Sequence, residues 1–144
     1  MEENESLMRN KAVVLHFNKN IIEKGDEQAF REPMAPDFVN RTAPPDTSAG
    51  PDGMLFTLNR VLRPLKDITV EIQDQVAEGD RITTRKTIHG THRGELLGIP
   101  PTNRRVDIEV IDIVRVKDGR YAEHWGVNTL PSVRAQLRQA ADGQ

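Results

Sequence analysis

The residues best suited to chemistry are a histidine and an aspartate on two neighbouring predicted strands. His124 lies in RYAEHWGVN, and Asp112 lies in VDIEVIDIVRV just before it. An imidazole beside a carboxylate can remove and return a proton near neutral pH, because the carboxylate orients the ring and stabilises its charged form. The pattern predicts His124 as a general base and Asp112 as its orienting partner. The alternative is a buried pair that only satisfies its own hydrogen bonds.

Whether the two side chains meet depends on the turn at Lys117–Gly119. A three-residue turn places Asp112 directly opposite His124, with about 4.5–5.5 Å between their Cβ atoms. A two-residue turn at Asp118-Gly119 places Asp112 opposite Trp125 instead, since a slip of one residue turns every side chain to the other face. The sequence leaves both registers open.

Two layers of structure must position this pair. Helical spacing of apolar residues predicts helices over 7–24, 52–63 and 129–141, and a short helix that Asp26 caps. Alternating spacing predicts strands over 37–41, 68–76, 81–90, 106–116 and 120–127, with a further run over 91–99. We therefore predict an α+β domain whose curved antiparallel sheet forms a cone, packed by N-terminal helices and a C-terminal helix. Its wide end is a pocket for a small ligand, and the loop Thr42–Gly53 is a candidate rim or lid.

Composition narrows the class of protein. The 144 residues carry 20 Lys plus Arg and 22 Asp plus Glu, with no basic run, so nucleic acid is not an expected partner. No cysteine is present, which excludes disulfides and thiolate ligands. The acidic start MEENESLMRNK lacks the apolar core of a signal peptide, and no apolar run is long enough to span a membrane. We expect one cytoplasmic domain over 1–144, with loose termini at 1–6 and 142–144, and with no metal and no cofactor.

A family pattern is visible across the chain, from Asn10 to Gln139. Its residues are Gly90, His92, Gly94, Leu96, Gly98, Pro100-Pro101-Thr102 and Arg104-Arg105, with APDFVN (35–40), Gly50-Pro51 and DGRYAEHW (118–125). With these motifs the chain resembles the SnoaL-like polyketide cyclase family, which has the nuclear-transport-factor-like cone fold.

The resemblance implies a cofactor-free enzyme that closes a ring of a polyketide ester by an intramolecular aldol step. It places the family's acid/base aspartate two residues after the histidine that corresponds to His124, where this chain has Gly126. It places a pocket histidine of the family at Asp112. A glycine cannot move a proton, so the two polar pocket positions differ from the family pattern.

Five further residues are candidate substrate contacts: Phe17, Asn40, Phe56, His92 and Asn128. The resemblance puts Phe17 in the pocket and His92 near its mouth, although a core phenylalanine and a histidine bonded to backbone are the plain alternatives. Asn40 could donate to a substrate carbonyl or cap a turn.

These observations favour an acid/base enzyme, of lyase or isomerase type, that acts on a small apolar carbonyl compound. A non-catalytic module that binds a small apolar metabolite on the same fold is the first alternative, and an isomerase- or hydroxylase-like relative is the second. We expect a homodimer across the outer strands with Tyr121 and Trp125 in its interface, because both aromatic residues are predicted on the face opposite His124.

Overall fold

The first helix changes its hydrogen-bond spacing where it reaches the core. In the computed structural model, which describes residues 2–143, α1 spans Glu2–Phe17 and continues as a π-helical segment over Asn18–Glu23. The predicted helix over 7–24 is therefore present and begins earlier. The π-helical segment buries Asn18, whose side-chain amide donates to the carbonyl of Val14 at 2.9 Å. Such segments inside α-helices are frequent at functional sites.

Turn chemistry ends this helix and starts the next one. Gly25 has a φ of 68°, a left-handed conformation that glycine adopts without strain. Asp26 caps α2, Glu27–Arg31, by accepting a hydrogen bond from the amide of Ala29 at 3.1 Å. Both features agree with the sequence pattern.

One sheet of five strands forms the other layer, in the order β1–β5–β4–β3–β2. The strands are β1 Met34–Asn40, β2 Leu65–Glu78, β3 Arg81–His92, β4 Arg105–Lys117 and β5 Arg120–Asn128. β2 to β5 pair antiparallel as predicted, but β1 is parallel to β5. A parallel pair requires a long crossover connection, and the chain between β1 and β5 supplies one through α3, Pro51–Leu62, and three strands. The fold is α+β, with a mixed, curved sheet.

The β4–β5 hairpin has one of the two predicted turns, but beyond a bulge its register matches neither prediction. Lys117 pairs with Arg120, so the turn is the two-residue Asp118-Gly119, in which both residues have positive φ. A bulge then leaves Ala122 without a partner on β4. The extra residue shifts the pairing of β5 with β4 by one position, so that Asp112 pairs with Gly126. Asp112 and His124 therefore share one face as diagonal neighbours.

The predicted run over 91–99 is not a separate strand. β3 continues to His92, and residues 93–104 form an irregular segment with one bridge between Leu96 and Ile99, both fully buried. The amide of Gly94 donates to the carbonyl of Pro64 at 2.9 Å. The segment is thus packed against the body of the protein.

The helices cover one face of the sheet and leave the other open. Along β3 and β4, buried residues alternate with exposed ones, and the buried set packs against α1, α3 and α4, Leu130–Asp142. The open face exposes the side chains of Val76, Ile111 and Val127. No helix within residues 2–143 is long and apolar enough to cross a membrane.

Candidate functional site

A cavity of about 560 Å³ lies between the covered face of the sheet and the helices. This volume falls within the range of small-molecule sites, roughly 300–1,000 Å³. Most of its wall is apolar, and it includes Ile22, Met54, Leu58, Val61, Ile88 and Ile108.

A chain of polar side chains from five different elements runs along the wall of this cavity, and all but Asn18 line it. Lys86 Nζ donates to Asn18 Oδ1 at 2.6 Å and lies 3.4 Å from Asp112 Oδ2. His124 Nε2 lies 3.5 Å from the same carboxylate oxygen, and His124 Nδ1 lies 2.9 Å from Asn40 Oδ1. The predicted Asp112–His124 contact is therefore present, as a long ion-pair contact between half-buried and buried groups.

The partner of Asn40 determines which nitrogen of His124 can exchange a proton. Asn40 Oδ1 also accepts from the backbone amide and the hydroxyl of Thr42, each at 3.3 Å. A backbone N–H can only donate, so this atom is the amide oxygen and His124 Nδ1 must carry a hydrogen. His124 Nε2 faces the carboxylate of Asp112.

The charge of Asp112 is held by its neighbours. Burial alone would raise its pKa, but the ammonium of Lys86, followed by the hydrogen bond and charge of His124, holds the pKa of Asp112 below its ordinary value of 3.8. Its second oxygen, Oδ1, is buried and has no hydrogen-bond partner within residues 2–143. Asp112 is thus a carboxylate at neutral pH that can stabilise a positive charge on His124.

Replacing Lys86 with methionine should destabilise the protein by about 3–5 kcal/mol at pH 7, because it leaves the buried carboxylate of Asp112 without its cation. The double variant Lys86→Met/Asp112→Asn should recover much of this loss, since it removes both charges. Urea unfolding measures both values. The Asp112 contribution is present above its unfolded-state pKa of 3.8 and is lost as the pH falls through its lower folded-state pKa, so the Lys86→Met deficit should shrink in acid. Equal losses in the single and double variants would rule this account out.

Tyr121 lies inside the cavity, not on the outer face where the alternation placed it. The bulge at Ala122 breaks the alternation, so Tyr121 faces the same side as His124 and lines the cavity. Its ring stacks on that of Phe17, with centroids 4.6 Å apart and 21° between the planes. Tyr121 therefore cannot belong to the predicted dimer interface. Trp125 does lie on the outer face, where the guanidinium of Arg81 stands 5.3 Å from its ring centroid.

The other predicted contacts divide into two groups. Phe17, Asn40 and Asn128 line the cavity, although Asn40 has only its amide nitrogen left for a substrate carbonyl. Phe56 does not line it, because it is 55% exposed and packs under the guanidinium of Arg60. His92 is also absent from the lining. From the predicted lid, Thr42, Pro44 and Asp46 form part of the wall. Within residues 2–143 no group of three or more acidic or histidine side chains is arranged to hold a metal ion.

His92 anchors the irregular segment that follows β3. Its Nδ1 accepts hydrogen bonds from the amide of Thr102 at 3.2 Å and from the Thr102 hydroxyl at 2.9 Å. Burial lowers the pKa of His92 below its ordinary value of 6.5, since the charged ring would be desolvated. The plain alternative of a histidine bonded to backbone describes this residue.

We expect the variant His92→Asn to flatten the pH dependence of stability. The stabilisation that depends on a neutral His92 is complete above pH 6.5 and declines as the pH falls towards the lower folded-state pKa. Each pH unit between the unfolded-state and folded-state pKa values corresponds to about 1.4 kcal/mol. Asparagine offers Oδ1 as an acceptor for Thr102 and does not titrate. Thermal melts of the wild type and of His92→Asn from pH 8 to 4 give their difference in stability at each pH. The contribution of His89 is the same in both proteins and cancels. A constant difference would show that His92 does not contribute.

Comparison with known proteins identifies the family. A family model of the SnoaL-like polyketide cyclase matches residues 12–137. The chain belongs to the SnoaL-like polyketide cyclase family. Among curated proteins, it is 37% identical over 57 residues to nogalonic acid methyl ester cyclase from Streptomyces nogalater. That match spans 38% of this chain and 39% of the cyclase.

Solved structures of a candidate polyketide cyclase and of a candidate hydroxylase share the fold over nearly the whole chain. IdmH from Streptomyces antibioticus, a candidate polyketide cyclase, is 32% identical with a TM-score of 0.76, over 89% of this chain and 97% of its own. AclR from Streptomyces galilaeus, a candidate hydroxylase, is 27% identical with a TM-score of 0.80, over 91% of this chain and 85% of its own. Similar folds therefore accompany different candidate activities.

Gly126 is the position at which this SnoaL-like protein lacks the aspartate that the resemblance implies. A Cβ at Gly126 would lie 3.0 Å from His124 Cε1 and 3.5 Å from the Cβ of Asp112. Asp112 is also its partner across the β4–β5 pair. The carboxylate of Asp112 thus enters the space beside His124 from the opposite strand.

Lys86 and Tyr121 line the cavity, Asn18 bonds to Lys86, and none of the three was predicted as a site residue. Lys86 could have been found, because it occupies an inward position in an alternating strand, between Thr84 and Ile88. A lysine at such a position usually needs a buried partner. Asn18 and Tyr121 gave no such signal, since a π-helical segment and a bulge turn them inward.

Proposed function

We propose that this SnoaL-like protein is a cofactor-free acid/base enzyme that acts on a small, largely apolar carbonyl compound, such as a polyketide-like ester or a cyclic ketone. The observation that supports the proposal most is the contact of 3.5 Å between Asp112 and His124 on the wall of an apolar cavity. A carboxylate beside an imidazole in such surroundings acts on a bound reactant more strongly than it would in water.

The proposed reaction begins with proton removal beside the carbonyl. His124 Nε2 takes the proton, the C–H electron pair becomes the C=C bond of an enolate, and the carbonyl π pair moves to oxygen. Asp112 remains ionised and stabilises the imidazolium, while Asn40 keeps the ring in place through Nδ1. Where the carbonyl compound has a β,γ-double bond, the enolate extends over that bond, and return of the proton to the γ-carbon gives the α,β-unsaturated isomer. Attack of the enolate carbon on a second carbonyl gives a ring, and the imidazolium then protonates the new alkoxide.

The position of Asp112 supports catalysis despite the glycine at 126. Only about 3.5 Å separates the Cβ of Asp112 from the Cβ that residue 126 lacks, so either residue could bring a carboxylate to the ring of His124. Two carboxylates there would repel each other, which favours one or the other. We propose that Asp112 supplies the carboxylate beside His124 that residue 126 lacks, while His124 itself moves the proton.

Deuterium incorporation into 2-tetralone tests the proposal, because it reports removal of the α-proton with no need for the natural substrate. The wild type in D₂O should exchange this proton faster than buffer does, and Asp112→Asn should lower the enzyme's rate about 100-fold. Asp107→Asn is the matched control, since Asp107 contacts His89 at 2.6 Å on the outer face of the same strand. Equal rates for the wild type and Asp112→Asn, with Asp107→Asn alike, would contradict the proposal.

A second candidate function is a binding module without catalysis, and Gly126 is the observation that favours it. Calorimetry with 2-tetralone separates the two functions. Binding to the wild type with no exchange above buffer would identify the binding module.

A further inference from the structure

We propose that Tyr121 is a second catalytic residue of this site, whose hydroxyl donates a hydrogen bond to the carbonyl oxygen of the substrate as the enolate forms. This inference rests on the function proposed above. It sets the orientation of the substrate in the cavity, because the reacting carbonyl must enter first and lie between Tyr121 and His124.

The backbone holds the tyrosine in place. The bulge at Ala122 turns Tyr121 inward, and its amide donates to the carbonyl of Pro33 at 2.6 Å. The ring is 3% exposed and is held against Phe17 by stacking. A ring fixed in this way loses little freedom when a ligand binds, so its hydroxyl is preorganised.

The hydroxyl is free to bind a ligand. Tyr121 lines the cavity, and its hydroxyl has no hydrogen-bond partner within residues 2–143. Buried hydroxyls of tyrosine usually have a partner, and a substrate oxygen in the cavity would supply it.

The hydroxyl also keeps its hydrogen. Burial, followed by the negative charge of Asp112, raises the pKa of Tyr121 well above 10. Tyr121 is therefore a neutral donor over the whole range in which a histidine base works. It stabilises negative charge on oxygen without transferring its proton, while His124 Nε2 carries the proton that leaves carbon.

Charge on the bound oxygen provides a direct test. The anion of 6-cyano-2-naphthol has a charged oxygen on an apolar ring system like an enolate, and 2-tetralone has the neutral carbonyl. Calorimetry above the pKa of the naphthol gives both affinities for the wild type, Tyr121→Phe and Thr57→Val. Thr57 is the matched control, because it lines the same cavity from α3 with a hydroxyl that also has no partner within residues 2–143.

We expect Tyr121→Phe to lose about 10-fold or more in affinity for the naphtholate and to keep that for 2-tetralone within about 2-fold. Its exchange rate should fall about 100-fold. Thr57→Val should change the affinities for the naphtholate and for 2-tetralone by the same factor. Because Tyr121→Phe removes a hydroxyl without a partner, its melting temperature should not fall.

Two other results would overturn the inference. If Tyr121→Phe keeps the naphtholate affinity and the exchange rate, while Asp112→Asn loses exchange, Tyr121 is a packing residue and the proposed function stands. If the wild type neither exchanges 2-tetralone nor prefers the naphtholate, both proposals fail.

Discussion

Replacing His124 with alanine should lower the exchange of the α-protons of 2-tetralone by about 1,000-fold, within the range known for general-base catalysis. Among residues 2–143, the one other nitrogen base that lies against Asp112 is Lys86, whose Nζ already donates to Asn18 at 2.6 Å. The variant should remain folded, because His124 is half-buried and its backbone bonds to β1 and β4 are unaffected. The measurement is the deuterium content of the ketone by NMR over time, with circular dichroism to confirm folding.

His89→Ala is the matched control for this variant. His89 also stands between carboxylates, at 2.6 Å from Asp107 and 3.1 Å from Glu71, but on the outer face of the sheet. Hydrogen bonds to Asp107, then to Glu71, raise the pKa of His89 above 6.5. His89 and Asp107 therefore form a histidine–carboxylate pair like that of the cavity, but outside it. Its loss should leave exchange unchanged. Equal effects of the two alanine variants would mean that the cavity does not carry the chemistry.

Replacing the two pocket residues one after the other with those of the family pattern should first lower the exchange rate and then recover it in part. Asp112→His alone removes the carboxylate and places a second ring beside Lys86, so exchange should fall by about 100- to 1,000-fold. Adding Gly126→Asp returns a carboxylate to the same space from the opposite strand. The new Cβ would meet Cε1 of His124 at 3.0 Å, and the ring must shift by a few tenths of an ångström. We therefore expect partial recovery, to within about 10-fold of the wild type.

The single variant Gly126→Asp completes this comparison. It brings a second carboxylate next to Asp112, and the repulsion should raise the pKa of one of the two groups and lower exchange at neutral pH. The rate constant for exchange is measured for all four proteins. A double variant no more active than Asp112→His would show that position 126 cannot replace position 112.

Periodicity was sufficient to predict the two layers and the face that carries the site. Long segments with clear alternation, such as β3 and β4, appear with nearly the predicted bounds. The parallel pairing of β1 with β5 was not predicted, because strand direction depends on contacts far apart in the sequence. The pattern of a single strand does not carry that information.

The β4–β5 hairpin shows why the site could be predicted only in part. The sequence left open a three-residue turn and a two-residue turn at Asp118-Gly119, and the two-residue turn is present. Asp112 nevertheless shares a face with His124, because the bulge adds one residue to β5. The same bulge turns Tyr121 inward. A bulge between Tyr121 and Glu123 has no turn residue to signal it, so alternation gives the right face for His124 and the wrong face for Tyr121.

The central claim is that His124 Nε2 exchanges the proton, with Asp112 against it and Nδ1 held by Asn40. Nitrogen-15 NMR of the neutral imidazole ring shows directly which nitrogen carries the hydrogen. We predict that Nδ1 carries it, and that the Nε2 signal changes in the variant Asp112→Asn. A neutral ring with its hydrogen on Nε2, and with no response to Asp112→Asn, would contradict the account.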